Sequence, residues 1–109
     1  MIILETSGGG TNISQLYEEE YYKNIQELKA IKEKRVYSIG WLTAYGDIQL
    51  ELPVILMIEA KGTYPEKFTD ITVSEWAEDY YKELYNINDD KAKELKEIQK
   101  LNWMDEYDF

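Results

Sequence analysis

The chain has neither cysteine nor histidine in its 109 residues. Without cysteine there are no disulfides, zinc–thiolate sites or thiol nucleophiles, and a reducing cytoplasm suits such a chain. Without histidine the usual general base, the usual transition-metal ligand and the usual near-neutral pH switch are all missing. Any catalysis would rest on carboxylates, lysine, tyrosine, serine or a bound magnesium ion, so the chain reads as a non-enzyme that needs no cofactor. Long apolar runs are also absent. The longest, Val54 to Ile58, is far short of the roughly 18 residues that span a bilayer. Met1-Ile2-Ile3-Leu4-Glu5 has no basic stretch ahead of its apolar residues, so no secretory signal is read there. Basic residues are scarce, 12 against 22 acidic ones, for a net charge of −10. That field repels phosphate backbones and anionic membranes and favours cationic protein partners. The length predicts one domain, residues 1–109.

What the chain has in abundance is aromatic residues interleaved with carboxylates. Three runs, Tyr17 to Tyr22 (YEEEYY), Trp76 to Tyr85 (WAEDYYKELY) and Trp103 to Phe109 (WMDEYDF), hold ten of the fifteen aromatic residues. Flat hydrogen-bonding rings beside negative charge suit arginine, which stacks on the ring while its charge meets the carboxylate.

Periodicity places these runs. Ile2 to Thr6 reads as a short strand, followed by a flexible connector at Ser7-Gly8-Gly9-Gly10 that lacks the lysine and hydroxyl of a phosphate-binding loop. Asn12 and Gln15 form a capping-box-like start. Ile13, Leu16, Tyr17, Tyr21, Ile25, Leu28 and Ile31 then predict an amphipathic helix to about Lys34. Val36 to Ala44 and a long segment from Ile48 to Ile58, interrupted by Pro53, read as strands around a turn at Tyr45-Gly46-Asp47. Thr72 and Glu75 cap a second helix with the stripe Val73, Trp76, Ala77, Tyr80 and Leu84. A third begins after Asn88 with the stripe Ala92, Leu95, Ile98 and Leu101, and residues 103–109 read as a mobile acidic tail. The expected fold is α+β: a small antiparallel sheet of two to four strands packed by one N-terminal and two C-terminal helices.

Laid on these helices, Tyr17, Tyr21, Trp76 and Tyr80 fall on apolar stripes and are expected in the core. Glu18, Glu19, Tyr22, Glu78, Asp79, Tyr81, Glu83 and Tyr85 fall off the stripes and are the expected partner-binding residues. Exposed aromatics of this kind dominate interface energetics.

Two local patterns resemble known families. Asp47, then an apolar strand, then Glu59-Ala60-Lys61 resembles the PD-(D/E)xK nuclease core, which implies two magnesium-binding carboxylates and a water-activating lysine. Strand alternation would put Glu59 and Lys61 on one face. Asp105-Glu106-Tyr107-Asp108-Phe109 resembles the acidic tip of single-stranded-DNA-binding proteins, which implies docking on basic, apolar pockets. In charge, size and element order the whole chain is similar to small phage-encoded DNA mimics and to some acidic anti-CRISPR proteins. That resemblance implies a cytoplasmic inhibitor, in the host cytoplasm if the chain is viral, that occludes the basic surface of a nucleic-acid-binding enzyme. The alternatives are the magnesium-dependent nuclease and a structural subunit that self-associates.

Overall fold

Glu51, Val54, Ile55, Ile58 and Gly62 recur at spacings of three and four, and in the computed structural model they form the buried face of one helix. The structure describes residues 1–4, 12–42 and 48–109, with the side chains of residues 48 and 49 not described. The elements run β1 (Ile2–Leu4), α1 (Ile13–Glu18), a 3₁₀ turn (Glu20–Ile25), α2 (Lys29–Lys32), β2 (Val36–Ser38) and α3 (Ile48–Thr63). A second 3₁₀ turn (Pro65–Lys67), α4 (Val73–Tyr85), α5 (Asp89–Ile98) and α6 (Trp103–Glu106) complete the order.

The antiparallel sheet is therefore a misreading. β1 and β2 are three residues each and pair in parallel, Ile2 with Val36, Ile3 with Tyr37 and Leu4 with Ser38. The long segment read as strand is the longest helix. Ile48, Leu50 and Leu52 alternate like a strand, and the continuous run Val54 to Ile58 fits either period. Outward-facing Leu50, Leu52 and Leu56 hide the helical amphipathicity. Pro53 withholds one helical N–H but does not end the helix.

The N-terminal helix is also shorter than its periodicity predicts. Glu19 and Leu28 are extended, and they divide it into α1, the 3₁₀ turn and α2. The Gln26 side-chain amide donates to the Tyr17 carbonyl at 3.2 Å, satisfying one acceptor near the end of α1. The break turns Tyr21 outward, 83% exposed, and packs Tyr22 against the core.

Four helices end alike. After α2, α4, α5 and α6 a left-handed residue (Lys34, Asn86, Lys100 and Asp108, with φ of 53°, 51°, 59° and 51°) turns the chain back. The next N–H then donates to the carbonyl five residues earlier: Arg35 to Ala30, Ile87 to Lys82, Leu101 to Lys96 and Phe109 to Met104. This is the Schellman arrangement, in which the residue after the left-handed one usually makes an apolar contact. Leu101 and Phe109 are buried and Ile87 packs on the core.

The core joins Val54 and Ile58 of α3, Val73, Ala77 and Tyr81 of α4, Ala92 of α5, and Leu101 and Met104, all essentially inaccessible. Gly40, with φ of +58°, lets the loop after β2 reach residue 99. A Cβ there would sit 2.0 Å from the Gln99 carbonyl oxygen, which accepts from the Trp41 N–H at 2.9 Å. Trp103 Nε1 donates to the Ser38 carbonyl at 3.0 Å. α4 begins after Thr72 as its sequence signals, but no side chain caps it. The Val73 N–H instead donates to the Phe109 carbonyl at 2.6 Å, so the third aromatic–acidic run closes the start of α4, the helix that carries the second.

Candidate protein-binding surface

α6 sits between two other elements. On one side Ser74 Oγ, in the first turn of α4, donates to Asp105 Oδ1 at 2.5 Å. On the other, Tyr107 lies near Tyr17 and Glu18 at the end of α1. Burial raises the Tyr107 hydroxyl pKa, and the Glu106 and Glu18 carboxylates raise it further. Tyr17 is raised by burial first, then by Tyr107 and Tyr37. The first and third runs, far apart in sequence, thus come together at α6, and the second reaches it only through Glu78, which shares Lys96 with Asp105. Phe109 packs 5.0 Å from both Tyr37 and Trp103, ring centre to ring centre, which ties residues 103–109 to β2. The run read as a tail carries a helix and buries its last side chain.

The predicted binding residues divide. Glu18 and Glu19 are exposed at the end of α1, beside Tyr21 and Glu20. Tyr22 is half-buried and meets Tyr21 edge to face at 5.0 Å. Asp79 is exposed and paired with Lys82 Nζ at 2.7 Å, a cation that Asp89 also holds at 2.8 Å. Glu83 is exposed. Tyr85 is 40% exposed, and its hydroxyl donates to Glu51 Oε1 at 3.2 Å. Tyr81 corrects the sequence reading: it is wholly buried. The buried line of α4 is Val73, Ser74, Ala77 and Tyr81, which shares Val73 and Ala77 with the predicted stripe but is turned roughly 60° about the helix toward Ser74 and Tyr81. Trp76 and Tyr80, stacked 5.3 Å apart, are accordingly only half-buried.

Glu78 is drawn inward by a lysine. Lys96, on α5 where the predicted stripe has Leu95 and Ile98, is 3% exposed, whereas Ile98 is 59% exposed. The Lys96 ammonium donates to Ser74 Oγ at 2.7 Å, Glu78 Oε1 at 2.5 Å and Asp105 Oδ1 at 2.9 Å, using all three of its protons. Burial pushes the Asp105 carboxyl up. Hydrogen bonds from Ser74 and Lys96, with the charges of Lys96 and Lys93, outweigh this and hold it below the usual range. A cleft of about 420 Å³ lined by Glu78, Lys93, Lys96, Glu97, Asn102 and Asp105 opens over the cluster. Serine beside lysine is the material of a nucleophile–base pair. Here the lysine donates to both carboxylates and the serine hydroxyl donates to Asp105, so the group ties α4, α5 and α6 together.

Glu59 and Lys61 do not share the strand face that the nuclease resemblance implies. Asp47 lies outside the described residues. Glu59 and Lys61 are on a helix, where two residues turn through about 200°, so they face apart. Lys61 Nζ donates to the Ile71 and Phe109 carbonyls at 2.6 and 3.4 Å and stands 5.1 Å over the Phe109 ring. Burial lowers its pKa. Among the described residues no three His, Cys, Asp or Glu side chains are grouped to hold a metal ion, and no helix is long and apolar enough to cross a membrane.

Sequence reasoning missed that Tyr107 comes near Glu18, and it missed the Lys96 cluster. The one signal for that cluster was Lys96 itself, placed between Leu95 and the Ile98 turn where a solvated lysine would be unremarkable. No protein-family profile matches the chain, and no curated protein or solved structure is significantly similar to it.

Proposed function

We propose that this chain is a non-enzymatic ligand for a basic protein surface, and that it binds through the band where α1, α6 and α4 meet. The observation that carries the reading is the approach of the first and third aromatic–acidic runs, which brings Glu18 near enough to act with Glu106 on the Tyr107 hydroxyl. Glu18, Glu19, Glu20 and Tyr21 extend the band on the α1 side, and Glu106 and Asp108 hold its middle. Glu78 and Tyr81 leave the binding set, because Lys96 neutralises the first and burial removes the second. Asp79, Glu83 and Tyr85 lie farther along α4. A partner whose arginines and lysines grip nucleic acid would meet carboxylates in place of phosphates. The mechanism is then occlusion of that surface, in the cytoplasm where such enzymes work. Charge-driven association of this kind is fast and weakens with salt.

The test separates a defined band from bulk acidity. The double reversal Glu18→Lys/Glu106→Lys and a control, Glu27→Lys/Glu66→Lys, change net charge equally. Each is used to capture DNA-binding enzymes from host lysate, and the captured complex is challenged with duplex DNA. The reading expects DNA to displace the captured enzyme, and the first pair to weaken capture by about tenfold or more, the scale of a desolvated charge pair. The control should leave capture intact. Equal loss in both pairs would reduce the interaction to non-specific charge and refute the proposal.

A further inference from the structure

At the far end of α4 from Ser74, two buried polar groups lack what burial requires. Glu51 is 7% exposed. Its carboxylate accepts from Tyr85 Oη at 3.2 Å and Gln99 Nε2 at 3.0 Å. Both donors are neutral, and no lysine or arginine among the described residues pairs with it. Lys61, on the same helix, is committed to the Ile71 and Phe109 carbonyls. Beside Glu51, the Tyr81 hydroxyl is completely buried and has no hydrogen-bond partner. The Tyr81 and Tyr85 rings stack 6.2 Å apart, inclined by 30°, and Tyr80 lies 6.3 Å from Tyr81, tilted by 53°.

Each of these features is costly to the folded chain. A carboxylate moved out of water without a cation pays desolvation that neutral donors only partly offset. An orphaned buried hydroxyl loses the hydrogen bonds it made to water. Consistent with this, burial raises the Glu51 carboxyl pKa against the opposing bonds from Tyr85 and Gln99. Burial, followed by the Glu51 charge, raises that of Tyr81. Two adjacent uncompensated groups, each of which a planar cationic donor would satisfy, have the character of a site awaiting a ligand rather than of a packed core.

We propose that Glu51, Tyr81, Tyr85 and Gln99 form a receptor site for a guanidinium group. The class follows from the donors and surfaces present. Each Glu51 oxygen has one lone pair taken and one left, so a planar fork can bond both. A further guanidinium N–H reaches the Tyr81 hydroxyl oxygen, which has no other donor. Tyrosine rings supply the flat wall on which guanidinium stacks. A lysine ammonium would meet the charge but neither the fork nor the stack. Tyr85, the partly exposed member of the set, donates to Glu51 at 3.2 Å, and admission of the group requires its side chain to swing aside. This site is at the opposite end of α4 from the acidic band and does not depend on that band being a binding surface.

The experiment titrates the full chain at physiological salt with N-acetyl-arginine amide and, separately, N-acetyl-lysine amide, following heat and the tyrosine ring signals. The proposal expects saturable one-to-one binding of the arginine compound, about tenfold or more tighter than the lysine compound, the scale of one charge-assisted hydrogen bond. Glu51→Gln keeps the shape and should abolish binding while raising the unfolding midpoint. Tyr81→Phe should weaken binding several-fold with the midpoint unchanged or higher, and Glu66→Gln should change nothing. No saturable binding to the wild type overturns the proposal, as does equal affinity for lysine or binding that survives Glu51→Gln. A Glu51→Gln chain that fails to fold contradicts the premise that the carboxylate is a cost. The separate loss of affinity in folded Tyr81→Phe then decides whether a site exists. An arginine-bearing peptide that binds no tighter than the free amide identifies a small-molecule site, and one that binds tighter identifies a protein partner.

Discussion

Replacing Lys96 with methionine should cost about 3 kcal/mol at neutral pH, near the lower end for breaking a buried ion pair. The magnitude comes from the charges left behind. Methionine keeps most of the stem volume, so packing changes little. The carboxylates of Glu78 and Asp105 then face one cleft with no cation between them. Asp105, with a side chain 57% exposed, recovers much of its hydration, whereas Glu78, at 18%, recovers little. One carboxylate is therefore orphaned rather than two, which keeps the cost near the bottom of the roughly 3–5 kcal/mol range. For a chain of about 100 residues that lowers the melting midpoint by about 12 °C or more. Acid probes the same cluster with a defined sign. The folded Asp105 carboxyl titrates below its ordinary value of 3.8. Its contribution is therefore complete above that value and is lost as pH falls through the folded one. The gap between wild type and Lys96→Met should thus narrow as pH drops from about 7 toward about 3, because the wild type loses its pair while the variant is relieved of repulsion. Urea unfolding of both chains at the two pH values measures it. The double variant Glu78→Gln/Lys96→Met should recover most of the loss at neutral pH. A gap below about 1 kcal/mol at neutral pH, within the range of an exposed pair, or one that does not change with pH, would show that Lys96 is not the hub of these helices.

Three further outcomes rest on the fold. Gly40→Ala should destabilise by about 3 kcal/mol or more, because it adds left-handed strain to a Cβ that overlaps the Gln99 carbonyl oxygen; a midpoint within a few degrees of wild type in thermal unfolding would contradict that contact. Lys100→Gly should stabilise by about 0.5 kcal/mol, roughly 1 kcal/mol of relieved strain less the extra freedom of glycine in the unfolded chain. Lys34→Gly should behave alike, and urea midpoints of the singles and the double should add. Phe109→Ala should cost about 3 kcal/mol or more from lost aromatic packing, and hydrogen exchange should show faster opening at Val73, which donates to the Phe109 carbonyl; unchanged protection there would detach the end of the chain from the start of α4.

How much of this was legible in the sequence depends on where the deciding information sits. The start of α5 was readable because its cap acts locally: Asn88 Oδ1 accepts from the Lys91 N–H at 2.9 Å, as its residue type predicts. The start of α4 falls where Thr72 signals it, although that cap does not form. The helix stops were half readable. Asn86 announces a left-handed turn, whereas Lys34 and Lys100 do not, since only the tertiary packing around the next residue, Arg35 or Leu101, forces lysine into that conformation. α3 was unreadable for a different reason. Its outward face is as apolar as its inward one, so the contrast that distinguishes period 3.6 from period 2 is absent. The candidate surface failed in the same way on a smaller scale. Ser74 and Lys96 carry polar atoms, so hydropathy sends them to solvent, and Tyr81 falls just off the stripe that periodicity predicts. In the fold they are on the inner faces of α4 and α5, where Lys96 of α5 reaches Ser74 and Glu78 of α4 and Asp105 of α6. A buried polar residue is tolerable only when partners distant in sequence converge on it, and convergence is a property of the assembled fold. Glu51 and Tyr81 make the same point in reverse. They are buried beside one another without a cation for the first or a hydrogen bond for the second, and no pattern in the chain required that arrangement for folding. Stability alone would not select that pairing, which makes it a place to look for a ligand.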